Sequence, residues 1–225
     1  IMKKEIFQDI CSQVFSSLEN NEQLTIYLEG ENSQYFRFND SKLRQSGIIE
    51  DYAVTISLFS GKKSLQSATT VSSDIKSSVN NLKNEIHALR DPLSLIPENE
   101  FTRFPDNFES IEMIKSGQLP DRNEILEALM DVITKDYLTG VWTSGKIFRA
   151  CFTSEGTNHW FEKDSFMFDF SLIDEKENMV KVLFPGSSWD KDKFNTAFLE
   201  ASEKLKLMNK PKMELKPGKY RVWFE

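Results

Sequence analysis

The sequence predicts an α+β fold in which two β-meanders, largely antiparallel, pack against amphipathic helices. Two observations carry this expectation. Along the 225 residues the apolar periodicity changes in the order helix, strands, helix, helix, strands, helix, strand. The composition sets 18 Phe and 4 Trp against only 9 Gly and 7 Pro, which favours elements packed on aromatic side chains over long disordered linkers. With 39% hydrophobic and 28% charged residues, the length accommodates one large domain or two small ones.

The elements follow in order. Ile6, Ile10, Val14, Phe15 and Leu18 recur at helical spacing between Lys4 and Leu18, and the turn-forming Asn20-Asn21 ends that helix. Leu24 to Glu29, Gln34 to Phe38, Leu43 to Ile49, Tyr52 to Phe59 and Lys62 to Thr69 are short β-branched or aromatic runs. They are parted by Gly30-Glu31-Asn32, Asn39-Asp40, Glu50-Asp51 and Ser60-Gly61, so they predict a first meander. Asp74 caps a helix whose stripe is Ile75, Val79, Leu82, Ile86 and Leu89, with Pro92 closing it; residues 1–93 form this first unit. Residues 94–120 hold Pro97, Pro105 and Pro120 with Phe101, Phe104 and Phe108 between them, an irregular connection anchored by aromatics.

Residues 121–225 form the second unit. Its helix starts at Asp121, with Glu124 as capping-box partner, carries Ile125, Leu129, Val132 and Ile133, and ends around Asp136. Strands are expected at Leu138 to Thr143, Lys146 to Phe152, Asn158 to Phe161, Ser165 to Ile173 and Met179 to Phe184. Ser144-Gly145, Ser154-Glu155-Gly156 and the segment Asp174 to Asn178 join them. Asp190 starts a helix bearing Phe194, Phe198, Ala201 and Leu205, and a last strand, Tyr220 to Phe224, follows Lys216-Pro217-Gly218. That strand meets Glu225 with no turn after it, as though the chain were cut inside a larger architecture.

A net charge of -7 and a pI near 5.1 argue against nucleic acid, whose backbone selects clustered Lys and Arg. The most basic stretch, Lys204 to Lys219, alternates with apolar residues and reads as a solvated helix end. Two cysteines, Cys11 and Cys151, and a start at Met2-Lys3-Lys4-Glu5 without a signal peptide point to the cytoplasm; Ile1 ahead of Met2 reads as a cloning remnant. No run approaches the ~20 apolar residues of a membrane span, so no membrane is expected among the partners.

Candidate chemistry is sparse. His87 and His159 are the only histidines and no His-Glu-x-x-His occurs, so a catalytic zinc site is not expected in these residues. Cys151 and His159 flank a turn and their strands could pair, bringing a thiol near an imidazole. Because Cys151 sits between Ala150 and Phe152, it reads first as a packing residue. Glu162/Asp164 and Asp190/Asp192 match ordinary strand ends and helix starts. Pro185-Gly186-Ser187-Ser188 has a single glycine and reads as a turn, not a phosphate loop. Trp142, Trp160, Phe161, Phe166, Phe168, Phe170 and Trp189 could line a groove, although the Phe166-Phe168-Phe170 alternation is that of a core face.

A family resemblance enters with longer stretches. The run Tyr35-Phe-Arg-Phe-Asn-Asp-Ser-Lys-Leu-Arg-Gln-Ser-Gly47 and the run Val54 to Thr70 resemble the N-terminal domain of the TldD/PmbA family, also called modulator of DNA gyrase. In that family a strand with an "lRQ" element leads through a glycine turn to an "aTT" ending. Gly140 to Gly145, Ser154 to Trp160, Asp169 to Leu172 and Leu215 to Val222 resemble its later landmarks in the same order, nearer to PmbA than to TldD. The resemblance implies a peptide-processing system of TldD/TldE-like dimers. Its zinc helix lies C-terminal to the matching "pG.y.V" strand of the TldD-type subunit, and so beyond this chain.

No cofactor is therefore expected in this chain, and zinc is implied only for a TldD-type partner. The expected partners are such a subunit or a second copy, together with a peptide substrate that the meander edges could pair with. The expected role is a non-catalytic domain for dimerisation and for shaping a substrate chamber. Trp160, Phe161, Arg44 and Gln45 are the candidate substrate or partner surface. The alternative is a stand-alone peptide- or ligand-binding module using an aromatic surface.

Overall fold

The computed structural model describes residues 1–105, 109–133, 137–211 and 213–223. Its elements are α1 (Lys4–Phe15), β1 (Glu22–Asn39), β2 (Lys42–Ser60), β3 (Lys63–Thr70), α2 (Ile75–Leu95), β4 (Glu112–Lys115), α3 (Arg122–Ile133), β5 (Tyr137–Thr153), β6 (Asn158–Ile173), β7 (Met179–Gly186) and α4 (Lys191–Leu207). Helices and antiparallel strands alternate as the sequence predicts, so the α+β class holds. Phe108, Asp136, Phe224, Glu225 and the side chain of Ile133 lie outside the described residues.

Both meanders are present, and they share one seven-stranded sheet of order β3-β2-β1-β5-β6-β4, with β7 also on β6. The seam is the antiparallel pairing of β1 with β5, from Thr25↔Thr153 to Phe38↔Gly140. Among the described residues every strand pairing is antiparallel except that of β4 with β6, and an isolated parallel bridge joins Gln118 to Ser188.

The strands are longer than the sequence suggested. β1 runs 18 residues straight through Gly30-Glu31-Asn32, β2 runs 19 through Glu50-Asp51, and β5 runs 17 through Ser144-Gly145. β6 likewise joins two expected strands into one of 16 residues. The glycines there serve close approach and not chain reversal. A Cβ on Gly30 would lie 2.6 Å from the Tyr52 ring, and one on Gly145 would lie 2.2 Å from the Asn32 carbonyl oxygen. Real reversals occur where backbones enter the left-handed region: Asp40 and Ser41 (φ 53° and 55°), Gly61 (58°), Gly156 (95°) and Glu177 (62°).

Three further expectations fail. Pro92 does not close α2: the helix continues one turn to Leu95, held by buried Leu89 and Leu93, and the Ile96 N–H donates to the Pro92 carbonyl. The connection 94–120 is not wholly irregular, because β4 adds itself parallel to β6 at Glu112↔Trp160. Residues 220–223 are not strand despite their alternation, and Tyr220, Val222 and Trp223 are exposed. Alternation makes a strand only where a neighbouring backbone accepts its hydrogen bonds, and among the described residues no strand pairs with this segment.

The core residues of β1, β2, β5 and β6 are almost all even-numbered, so they share one face of the sheet. Helices α1 and α2 cover one end of that face, over Leu24, Ile26, Leu28, Ile56, Phe152 and Trp160. Helices α3 and α4 cover the other end, over Phe36, Phe38, Trp142, Phe166, Phe168 and Phe170. Two separate cores thus sit on the same strands, with a waist between them.

Candidate functional site

At the waist the apolar pattern of the helix-bearing face gives way to polar residues. Register places Asn32 opposite Lys146, and Lys146 opposite Asp164, in one row across β1, β5 and β6. In the next row Gln34 lies opposite Ser144 and donates from Nε2 to its Oγ at 3.2 Å. Lys146 Nζ is ion-paired with Glu162 and stands 3.5 Å from Asp164 Oδ1, and Asp164 Oδ2 accepts from the Gly117 N–H at 3.2 Å. Glu162 and Asp164 are therefore not strand-end carboxylates. They lie inside β6 and neutralise a half-buried ammonium.

The electrostatics make Lys146 a fixed cation. Burial pulls its pKa down, but the Glu162 hydrogen bond and the charges of Asp164 and Glu162 outweigh that and hold it above the ordinary lysine value. A lysine so held is protonated at neutral pH and serves as neither base nor nucleophile.

Among the described residues no helix packs on the opposite face of the sheet. There, at the same waist, a cleft of about 540 Å³ is lined by Glu31, Ser33, Thr143, Lys163, Ser165 and Met167, with the end of β7 as its rim. Ser33, 6% exposed, donates from Oγ to Glu31 Oε2 at 2.6 Å. Its lining is mixed, with hydroxyls, one carboxylate and one ammonium beside the larger apolar share that Ile147, Phe166, Met167 and Pro185 supply, which suits an extended chain carrying both polar and apolar groups. Its Ser33 hydroxyl is buried against Glu31, and no histidine or cysteine is among the described residues that line it.

The other candidates are accounted for by their surroundings. Cys151 and His159 do sit opposite each other across β5 and β6. Burial raises the Cys151 thiol, however, and His159 Nδ1 accepts from the Ile111 N–H at 3.2 Å. Cys11 is raised further, by burial first and by Cys151 second, so both residues are thiols and not thiolates at neutral pH. His87 is exposed on α2, far along the chain from His159 on β6, and no group of three or more His, Cys, Asp or Glu positioned for a metal occurs among the described residues. The donors present do not fit zinc.

The expected surface residues separate. Trp160 is 1% exposed and packs against Phe7 and Phe148 at 6.2 and 6.0 Å, inside the core under α1. Phe161 points to the helix-free face, beside Tyr27, Met113 and Cys151 around a hollow of about 270 Å³. The two side chains point to opposite faces, although both residues border that hollow. Arg44 and Gln45 are exposed on the outer part of β2, where Arg44 Nε donates to the Asn39 carbonyl at 3.2 Å and Gln45 Nε2 to Tyr35 Oη at 2.8 Å. Sequence reasoning missed the Asn32, Lys146 and Asp164 row. Its signal is the even parity that Asn32, Lys146 and Asp164 share, but Asn32 reads as part of a turn, Lys146 as the first residue of a strand and Asp164 as a strand-end carboxylate, so nothing local aligns the three.

No helix among the described residues is long and apolar enough to cross a membrane. Neither a family model nor a curated protein matches the sequence. Solved structures do match. TldE of Thermococcus kodakarensis aligns with a TM-score of 0.63 at 10% identity, over 89% of this chain and 47% of its own. A candidate modulator of DNA gyrase from Bacteroides thetaiotaomicron gives 0.60 at 13% identity, over 90% and 49%. Another from Thermotoga maritima gives 0.59 at 10%, over 88% and 48%. The chain spans about half the length of each of these structures. Over that half, it has the fold of the TldD/PmbA-type proteins.

Proposed function

We propose that this chain is a non-catalytic domain of a TldD/PmbA-like metallopeptidase system in the cytoplasm. It serves dimerisation and forms part of the chamber in which a peptide is held during maturation or degradation. The observation that carries this reading is the match of nearly the whole chain to about half of TldE. The waist cleft on the helix-free face supplies a concave wall of mixed polar and apolar character for an extended chain. Zinc and the peptide-bond chemistry belong, in this reading, to a TldD-type subunit. The two free cysteines accord with a reducing compartment.

The test is a peptidase assay on an unfolded protein, with and without zinc, using the chain alone and mixed with a TldD-type subunit. The expected result is no cleavage by the chain alone and a changed rate or cleavage pattern in the mixture. Zinc-dependent cleavage by the chain alone overturns the reading, as does a mixture indistinguishable from the TldD-type subunit by itself.

A further inference from the structure

Neighbouring strands lie about 4.8 Å apart, so charges of one sign directly opposite each other repel, and a sheet normally sets opposite charges there. On the helix-free face one row breaks that pattern twice. Register places Asp51 of β2 opposite Glu31 of β1, Glu31 opposite Ile147 of β5, Ile147 opposite Lys163 of β6, and Lys163 opposite Lys115 of β4. The row therefore reads acid, acid, apolar, base, base.

Among the described residues none of these four charges has an ion-pair partner. Glu31 accepts only from the neutral Ser33 hydroxyl. The adjacent row is neutralised in the ordinary way, with Arg149 paired to Glu29 across β5 and β1. Glu31, Ile147 and Lys163 line the waist cleft of about 540 Å³, and Asp51 and Lys115 are exposed one strand further out on either side. Each like pair costs the fold energy, whereas a ligand bringing a cation to one pair and an anion to the other is held at both ends.

The spacing defines that ligand. The midpoints of the acidic and basic pairs are three strand spacings apart, about 14 Å, with Ile147 halfway between them. An extended peptide rises about 3.3 Å per residue and turns alternate side chains to one side, so its residues i, i+2 and i+4 face the sheet over about 13 Å. We propose that the cleft takes an extended peptide lying across the strands. A basic residue sits over Glu31 and Asp51, an apolar residue two positions away over Ile147, and an acidic residue two further on over Lys163 and Lys115. The side chains fit with the peptide running in either direction, so basic-x-apolar-x-acidic and its reverse are both admitted. The peptide as occupant rests on the function proposed above; the charge row and its spacing do not.

The experiment is a fluorescence-anisotropy titration of the whole chain with heptapeptides carrying a neutral dye at the N-terminus and an amide at the C-terminus. The probe is Gly-Lys-Gly-Leu-Gly-Glu-Gly. One control, Gly-Lys-Gly-Leu-Glu-Gly-Gly, keeps the composition and shortens the spacing, and another replaces the Glu by Lys. The probe should bind about fivefold to tenfold more tightly than either. Lys115→Glu combined with Lys163→Glu makes the row acidic throughout and should invert the preference, the Lys/Lys peptide now binding about fivefold more tightly than the probe. A preference gained in this way cannot come from misfolding.

Equal binding of the probe and the shortened-spacing peptide overturns the proposal, as does a double variant that keeps the wild-type preference. If no peptide binds and the double variant instead weakens association with a TldD-type subunit, the row belongs to that subunit and the peptide is the wrong occupant. A chain that alters cleavage by a TldD-type subunit without distinguishing the peptides sinks the charge row alone. The predicted preference in a chain that leaves that cleavage unchanged supports the row as a binding site and overturns the function proposed above.

Discussion

The two ends of the sheet are closed by different means although they share β1, β5 and β6. Under α1 and α2 the core is mainly aliphatic, with Ile10, Val14, Ile26, Val54, Leu82 and Ile86 buried, and its rim is fastened by a charge clamp. Arg90 on α2 reaches Glu22 at the start of β1 from Nε at 2.8 Å and from Nη2 at 2.9 Å, and also bonds the Ser17 carbonyl beyond α1. Under α3 and α4 the core is a chain of rings. Phe168 stacks on Phe170 at 4.5 Å, Trp142 on Phe166 at 5.0 Å, and Trp189 meets Trp142 edge-on at 5.4 Å and 89°. The buried Nε1 atoms of Trp142 and Trp189 find no hydrogen-bond partner, consistent with ring edges packed against ring faces, and the same holds for Trp160 among the few rings of the aliphatic end. The aliphatic end fills space and fixes its orientation with ions; the aromatic end fixes orientation by ring geometry itself.

The largest effect expected from this contrast is at the ring chain. Phe168 is fully buried and touches Phe38, Trp142, Phe170 and Phe194, so Phe168→Ala removes the hub that the other rings lean on. Loss of a buried Phe to a cavity costs about 3–5 kcal/mol. Because both cores sit on the same strands, the loss should lower the stability of the whole sheet in a single transition. Urea unfolding followed by far-UV circular dichroism and by tryptophan fluorescence reads this. Coincident curves shifted to lower urea are expected. Two separated transitions, with the α1/α2 end surviving, would show that the waist divides the fold into independent units.

Much of this contrast was legible in the sequence. The helical stripes of α1, α2 and α4 and the Phe166-Phe168-Phe170 face follow from period alone, because side-chain spacing on a helix or strand is local. The caps at Asp74 and Asp190 were equally local, each carboxylate accepting from N–H groups two or three residues on. The waist was not legible. Gly30, Asn32, Glu50, Ser144 and Gly145 have the chemistry of turns, and only pairing on both sides, with partners more than a hundred residues away for β1 and β5, converts them to strand. The segment Tyr220 to Trp223 failed for the converse reason: its pattern is that of a strand, but no neighbour among the described residues accepts it. The polar row inherited the first error: with Asn32 read as a turn and Lys146 and Asp164 at the ends of separate strands, nothing local sets the three on a common row.

The clamp on the aliphatic end gives an intermediate effect with a pH signature. The Arg90 hydrogen bond holds the Glu22 carboxyl below its ordinary pKa, against the opposing pull of burial. A carboxylate with a depressed folded pKa contributes stability that is fully present above its unfolded pKa and is lost as pH falls through the folded value. Arg90→Met should cost about 1–3 kcal/mol near neutral pH, because Glu22, whose side chain is 9% exposed, loses its charged partner. Stability measured from neutral pH down through the carboxylate range should fall less steeply in the variant than in the wild type. Parallel pH profiles would mean that the clamp is ornamental and that aliphatic packing alone orients α2.

The smallest effect sharpens the same question at the other end of α2. Asp74 is non-helical at φ -77° and ψ 99°, and its Oδ1 accepts from the Ser77 N–H at 3.0 Å, satisfying one of the free donors of the first turn. Asp74→Ala removes that acceptor and should cost about 1 kcal/mol, since water replaces it at an exposed helix start. Asp74→Asn keeps a capping oxygen and should recover most of the loss. If α2 is held chiefly by Val79, Leu82 and Ile86 beneath it and by Arg90 at its far end, combining Asp74→Ala with Arg90→Met should give the sum of the two costs, the sites lying sixteen positions apart on one helix. A loss well beyond the sum would mean that cap and clamp act together to hold the helix against the sheet, and that the aliphatic end depends on its polar fastenings as much as the aromatic end depends on its rings.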